Sequence, residues 1–160
     1  MTKAMNLQEL LPQLVPEAIT WAKAQALHVT RAGKPLTESG LELARQVGVK
    51  NPELVRLLYV DELPVPVEQL ALRQMIIEKK LFEGMTGLTL GHSIMIVYGH
   101  ADARLVSHEL RHVHQYEELG GIDGFMPIYL EQIASVGYDL AQLEIDARRH
   151  EVRVPNKVWA

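Results

Sequence analysis

Between residues 16 and 32, PEAITWAKAQALHVTRA sets Ile19, Ala22, Ala26 and Val29 on one face, the three-and-four spacing of an amphipathic helix. Pro16 suits a first helical turn and Gly33 a stop. Thr37 can cap a second helix whose stripe is Leu41, Ala44 and Val47 and whose end is Gly48. Together they read as an N-terminal helical hairpin within residues 1 to 50. Leu54 to Val60 is a short apolar run ahead of Pro64 and Pro66, the signature of a buried strand. Residues 67 to 83 return to helical spacing before Gly84.

From Leu88 the period becomes two. Leu88, Leu90, His92, Ile94, Ile96 and Tyr98 alternate with Thr89, Gly91, Ser93, Met95 and Val97, which predicts one strand from 88 to 98. Asp102 can cap the helix ADARLVSHELRHVHQYEEL, about 102 to 119, which stops at Gly120 and Gly121. Asp123 is placed to cap the next helix, with Pro127 near its first turn and Gly137 at its end. A last helix is expected from Leu140 to about Glu151. The pattern is a single α+β domain over residues 1 to 160: the hairpin, a strand-containing part from 54 to 98, and helices from 102 to 151. There is no internal repeat or linker.

With 160 residues and 48% hydrophobic positions, the chain can bury one ordinary core. Its 16 Lys and Arg are dispersed among 20 Asp and Glu, for a net charge of -4, so no basic stripe is available for nucleic acid. No cysteine is present, so any metal site must use His and carboxylate. The N-terminal MTKAMNLQELLPQLVPEA lacks a continuous apolar signal region. No window reaches the roughly 20 unbroken apolar residues of a membrane span. A cytoplasmic protein is expected.

The chemistry concentrates in His108-Glu109-Leu110-Arg111-His112, an HExxH sequence on the helix of 102 to 119. Residues four apart lie one turn apart on one face, so His108 and His112 can converge on one ion. Glu109 is rotated about 100° from His108 and can approach a water rather than the ion. The bland alternatives are two polar residues on a wet face, and a Glu109 paired with Arg104 or Arg111.

A catalytic zinc takes a third protein ligand and keeps one position for water. The helix after Asp123 can travel back about 20 Å, which brings the last helix near the motif. Glu144 is the best third donor there, with Asp146 and His150 as alternatives. Glu144-Ile145-Asp146-Ala147 adds a small residue three positions on, which permits close helix approach.

HExxH at 108 to 112 with ExxA at 144 to 147 resembles the zincin metallopeptidases of the gluzincin type, and more loosely small bacterial zincin-like domains, over roughly residues 88 to 148. The resemblance implies a zincin-like α+β fold and one Zn2+ per chain on His108, His112 and Glu144. It also implies Glu109 as general base, a peptide or protein substrate, and the strand of 88 to 98, with Gly91, His92 and Ser93, on the substrate side. Some related peptidases follow the second motif with Asp, whereas Arg148 stands here.

The expected function is zinc-dependent peptide hydrolysis. Tyr138, His114, Arg148 and His150 are chemically suited to stabilise an oxyanion. His114, about 240° round the helix from His108, should face away from the motif, while Gln115 and Tyr116 return near it as supports. His92 by itself reads as a satisfied core histidine, and GFMPIYLEQIASVGY as a core-packing helix rather than a membrane-surface one. Two rivals accompany the hydrolase: a zinc-binding module without turnover that serves protein–protein interaction, and a helical protein with a chance motif. Glu109 favours the enzyme, because a binding module has no use for a base beside its ligands.

Overall fold

The computed structural model describes residues 6 to 160. Six helices pack on a small mixed sheet: α1 (Leu7–Ala32), β1 (Lys34–Pro35), α2 (Glu38–Gln46), β2 (Arg56–Val60), α3 (Leu70–Lys79), β3 (Gly87–Leu90), β4 (Ser93–Val97), α4 (Ala103–Leu119), α5 (Ile122–Val136) and α6 (Gln142–Arg149). The strand order is β1-β2-β4-β3. β2 and β4 are parallel, while β1–β2 and β3–β4 are antiparallel. No helix among the described residues is long and apolar enough to cross a membrane.

The alternation of the strands divides the core in two. Leu88, Leu90 and Met95 face α1, α3 and α5, whereas Leu57, Ile94 and Ile96 face α2 and α4. Accordingly α1 packs on α5 and α3, and α2 on α4. The expected N-terminal hairpin is therefore not formed; residues 1 to 5 of that reading lie outside the described residues. After Gly33 the backbone is extended, and Lys34–Pro35 pairs with β2. That step carries the chain round the sheet edge and delivers α2 to the opposite face.

Helix α1 also begins earlier than Pro16. Asn6 caps it by accepting from the Gln8 N–H at 3.1 Å, and the helix runs through Pro12 and Pro16. Leu7, Leu14, Ala18, Ala22 and Val29 make one buried stripe, and this packing outweighs the backbone bonds that the prolines forgo. α5 starts at Ile122 with Gly121 as its cap, so Asp123 sits in the first turn rather than capping.

The single strand of 88 to 98 is instead a hairpin, β3 and β4, closed by Gly91 and His92. Gly91 has φ +68, a conformation open chiefly to glycine in a two-residue turn. The turn reverses the face assignment: Ser93 and Met95 join Leu88 and Leu90 on the α1 side, and Ile94 and Ile96 turn toward α4. β4 is central, so β3 is the strand at the edge beside α4.

Candidate metal centre

α4 is built for one dry and one chemical face. Asp102 accepts from the Leu105 N–H at 2.8 Å, and the chain leaves the helix through left-handed Gly120. Val106, Leu110 and Val113 are fully buried against the sheet, which turns His108, Glu109 and His112 toward β3, α5 and α6. All three are buried, as is Glu144 in the first turn of α6.

His108, His112 and Glu144 come together, each offering one ligand atom within 4.8 Å of the others. Glu144 Oε1 lies 3.1 Å from His108 Nε2, and Oε2 lies 3.2 Å from His112 Nε2. Zinc bonds to His and carboxylate of about 2.0–2.2 Å place tetrahedral ligand atoms about 3.3–3.5 Å apart, a spacing that falls inside the 4.8 Å within which the three ligand atoms lie.

The outer nitrogens decide how the rings present themselves. His108 Nδ1 lies 2.9 Å from Glu151 Oε2, an acceptor, and therefore carries hydrogen. Gln115 donates its amide to the Leu143 carbonyl and to Asp146 Oδ2, both at 2.8 Å. Its carbonyl oxygen is thereby turned to His112 Nδ1, again at 2.8 Å, where it accepts. In both neutral rings the Nε2 lone pair then points at the Glu144 carboxylate. Three acceptors converge on one buried point, an arrangement that calls for protons or a cation.

The titration behaviour follows. Burial disfavours a charged His112, but the Glu144 carboxylate overrides it and lifts the imidazole to about 9. Burial likewise opposes charge on His108, and Glu144 and Glu109 override it upward. Burial pushes Glu144 up, but His112 and His108 more than reverse this and hold it below the usual carboxylate range. Without a metal, a proton on His112 offsets the Glu144 carboxylate.

Glu109 stands beside this set, not in it. Its Oε1 accepts from the Thr89 hydroxyl at 2.9 Å, not from Arg104 or Arg111. Burial raises its pKa, against the opposing pull of His112 and His108. Gly87 on β3 makes room for it: a Cβ there would meet Glu109 Cδ and Cγ at 3.0 Å. Glu109, His112, Glu144, Tyr129 and Tyr138 are among the polar residues that line a cavity of about 100 Å³ between β3 and helices α1, α3, α4 and α5.

Of the candidate oxyanion donors, only Tyr138 lies at this cavity. Burial, reinforced by the Glu144 carboxylate, raises its hydroxyl and keeps it protonated. His114 turns away, with Nδ1 2.8 Å from the Gly48 carbonyl. His150 Nδ1 lies 2.8 Å from the Asp146 carbonyl, and Arg148 donates to the Asp139 carbonyl. Asp146 is held by Arg111 Nε at 2.8 Å and by Gln115, so it buttresses the site instead of entering it.

The expected substrate-side residues 91 to 93 serve the fold. Gly91 and His92 are the hairpin turn, and Ser93 donates to the Ala26 carbonyl at 3.0 Å on the α1 side. His92 is not a core histidine: its Nε2 lies 2.9 Å from Glu117 Oε2, which also accepts from the Asn51 N–H. It is β3, Gly87 to Leu90, and not residues 91 to 93, that lines the cavity.

Sequence reading missed three supports. Tyr129 donates to Glu144 Oε2 at 2.8 Å and stacks on Phe125, which stacks on Tyr116; its i, i+4 spacing from Phe125 was the available signal. Thr89 and Glu151 carried no local signal, since each reaches α4 only through the tertiary fold. No protein family, no curated protein and no solved structure matches the chain.

Proposed function

We propose that the chain is a zinc-dependent hydrolase of peptide bonds, with one Zn2+ held by His108, His112 and Glu144. The observation that carries this reading is the convergence of two inward-facing Nε2 atoms on a buried carboxylate, with Glu109 lining the same cavity as His112 and Glu144. A bound zinc supplies Lewis acidity, which lowers the pKa of water toward ~7 and polarises a carbonyl.

The residues of the chain divide the remaining work. Glu109 takes the proton of the attacking water on Oε2, the oxygen that Thr89 leaves free, and passes it to the leaving amine. Its raised pKa suits a base that must also act as an acid. Tyr138, protonated and next to Glu144, donates to the oxygen that gains charge as the carbonyl is attacked. Tyr129, Gln115 and Glu151 hold the ligands in orientation. The apolar walls of the cavity exclude bulk water and strengthen each of these interactions.

The test is cleavage of a mixed peptide library by zinc-loaded protein, read by mass spectrometry. Peptide bonds should be cut by the wild type and not by Glu109→Gln, which should bind the same amount of zinc. Zinc-loaded wild type that leaves the whole library intact would instead favour a binding module without turnover.

A further inference from the structure

Residues 151 to 160 form neither helix nor strand. Glu151 and Val152 are half-buried, residues 153 to 158 are exposed, and Trp159 is buried again. A segment that crosses the surface and then returns a tryptophan to the core is tied at two places.

The first tie is at His108. Glu151 Oε2 lies 2.9 Å from His108 Nδ1, and the neighbouring Val152 N–H donates to Ser107 Oγ at 2.8 Å. Ser107 in turn donates to the Arg104 carbonyl at 3.0 Å, and Arg104 Nη1 stands 3.7 Å from the same Glu151 oxygen. Farther on, Asn156 Oδ1 accepts from the Ala103 N–H at 3.2 Å, one of the donors that a helix start leaves without an internal partner. The segment thus runs back along the first turns of α4, from His108 toward the helix N-terminus.

The second tie is Trp159. Its indole belongs to the core between α2 and α4, with Leu36, Leu43 and Val106, and its carbonyl accepts from the Thr37 N–H at 3.0 Å. Thr37, the cap of α2, also donates its hydroxyl to the Val158 carbonyl. The Trp159 Nε1–H is buried without an acceptor, so the indole is seated by the apolar surface it removes from water, typically about 150–250 Å² for an aromatic side chain. Gly40 keeps this seat open on α2, because a Cβ there would collide with the Trp159 carbonyl.

A carboxylate on irregular chain holds a ring in one orientation only when the chain around it is fixed, since otherwise the contact must also pin a mobile backbone. α6 fixes Glu151 on one side; on the other, the ties are those of Val152, Asn156, Val158 and Trp159. We propose that residues 151 to 160 are a strap that positions His108, with Trp159 and Gly40 as positioning residues that act on the histidine through Glu151. The ion that His108 would hold rests on the zinc reading, whereas its tie to the strap stands without one.

The experiment uses the full-length protein as Trp159→Ala, Trp159→Phe, Gly40→Ala, Glu151→Ala and the Trp159→Ala/Glu151→Ala double variant. Zinc affinity is read by chelator competition, and exchange of the His108 Nδ1–H with water is read by NMR on metal-free protein. Glu151→Ala should lower zinc affinity by about tenfold or more, and Trp159→Ala and Gly40→Ala by about fivefold or more. Trp159→Phe keeps an aromatic ring and loses only an unbonded N–H, so it should stay within about twofold of wild type. The double variant should bind zinc within about twofold of Glu151→Ala, because Trp159 then has no carboxylate to hold. Exchange of the Nδ1–H should quicken in Trp159→Ala and Gly40→Ala alike. Losses that add in the double variant would overturn the strap, since they would come from a loosened core and not from the tie to His108. Wild-type zinc affinity and exchange in Gly40→Ala, or in a folded Trp159→Ala, would overturn it as well. Wild-type protein that binds no zinc, with exchange still quickened in both variants, would keep the strap and defeat the metal centre.

Discussion

The side-chain amide of Gln115 fixes the orientation of His112. Its nitrogen is committed to the Leu143 carbonyl and Asp146, so its oxygen faces His112 Nδ1 at 2.8 Å. Because Leu143 and Asp146 flank Glu144 on α6, one residue of α4 positions both His112 and the helix that carries Glu144. Arg111 reinforces the same junction through Asp146 and the Val47 carbonyl.

Gln115→Ala should therefore weaken zinc binding without unfolding the protein. Loss of an orienting partner costs about 10–100-fold in metal affinity, and chelator competition should show a drop in that range. Glu151→Gln should cost less, because an amide oxygen can still accept from His108 Nδ1. Equal affinity for Gln115→Ala and wild type would show that the junction does not organise the site.

Metal-free protein should be pH-sensitive in a defined direction. His112 is raised from 6.5 to about 9, so its contribution to stability is complete below about pH 6.5 and is lost as pH rises through 9. Glu144 is depressed, so its contribution is present above its ordinary 4.5 and fades only at strongly acid pH. The melting temperature of chelator-treated protein should fall by several degrees from pH 6.5 to 9, while that of zinc-loaded protein should fall less. Apparent zinc affinity should rise over the same interval, by roughly tenfold per pH unit for each proton displaced. A flat pH dependence in both measurements would mean that the histidines are not protonated in the metal-free cluster.

Gly87→Ala is a test of the base from the strand side. The added Cβ meets a Glu109 side chain that is buried and tied to Thr89, so the carboxylate must shift by some tenths of an ångström. Cleavage should fall roughly tenfold, because small misplacements of a reacting group are expensive, and zinc content should be unchanged. Full activity would place the base elsewhere.

Tyr138→Phe separates the two tyrosines. Loss of one oxyanion donor costs about 10²–10³ in kcat, so this variant should keep KM and lose kcat. Tyr129→Phe should lower zinc affinity, since its hydroxyl holds Glu144. The opposite assignment of effects would exchange their roles.

The His108, His112 and Glu144 cluster was legible because it is local or nearly so. His108 and His112 share a helix whose cap, Asp102, and stop, Gly120, are written in the sequence. Glu144 followed from the length of α5 and the break at Gly137. The hairpin was hidden because the period-two alternation runs unbroken across Gly91 and His92, although the turn changes which residues share a face. The course of α1 was hidden because two prolines argue locally against a helix that tertiary packing sustains. Glu109's partner Thr89 and His108's partner Glu151 depend on contacts 20 and 43 positions apart, which periodicity does not reach.

The most direct test of the account is metal content by elemental analysis on untagged protein, for the wild type, His108→Ala, Glu144→Ala and Glu109→Gln. One zinc per chain in the wild type and in Glu109→Gln, with loss of zinc from the other two, is the predicted result. Wild-type protein that holds no zinc after reconstitution, or Glu144→Ala that holds it as tightly as wild type, would contradict the proposed centre.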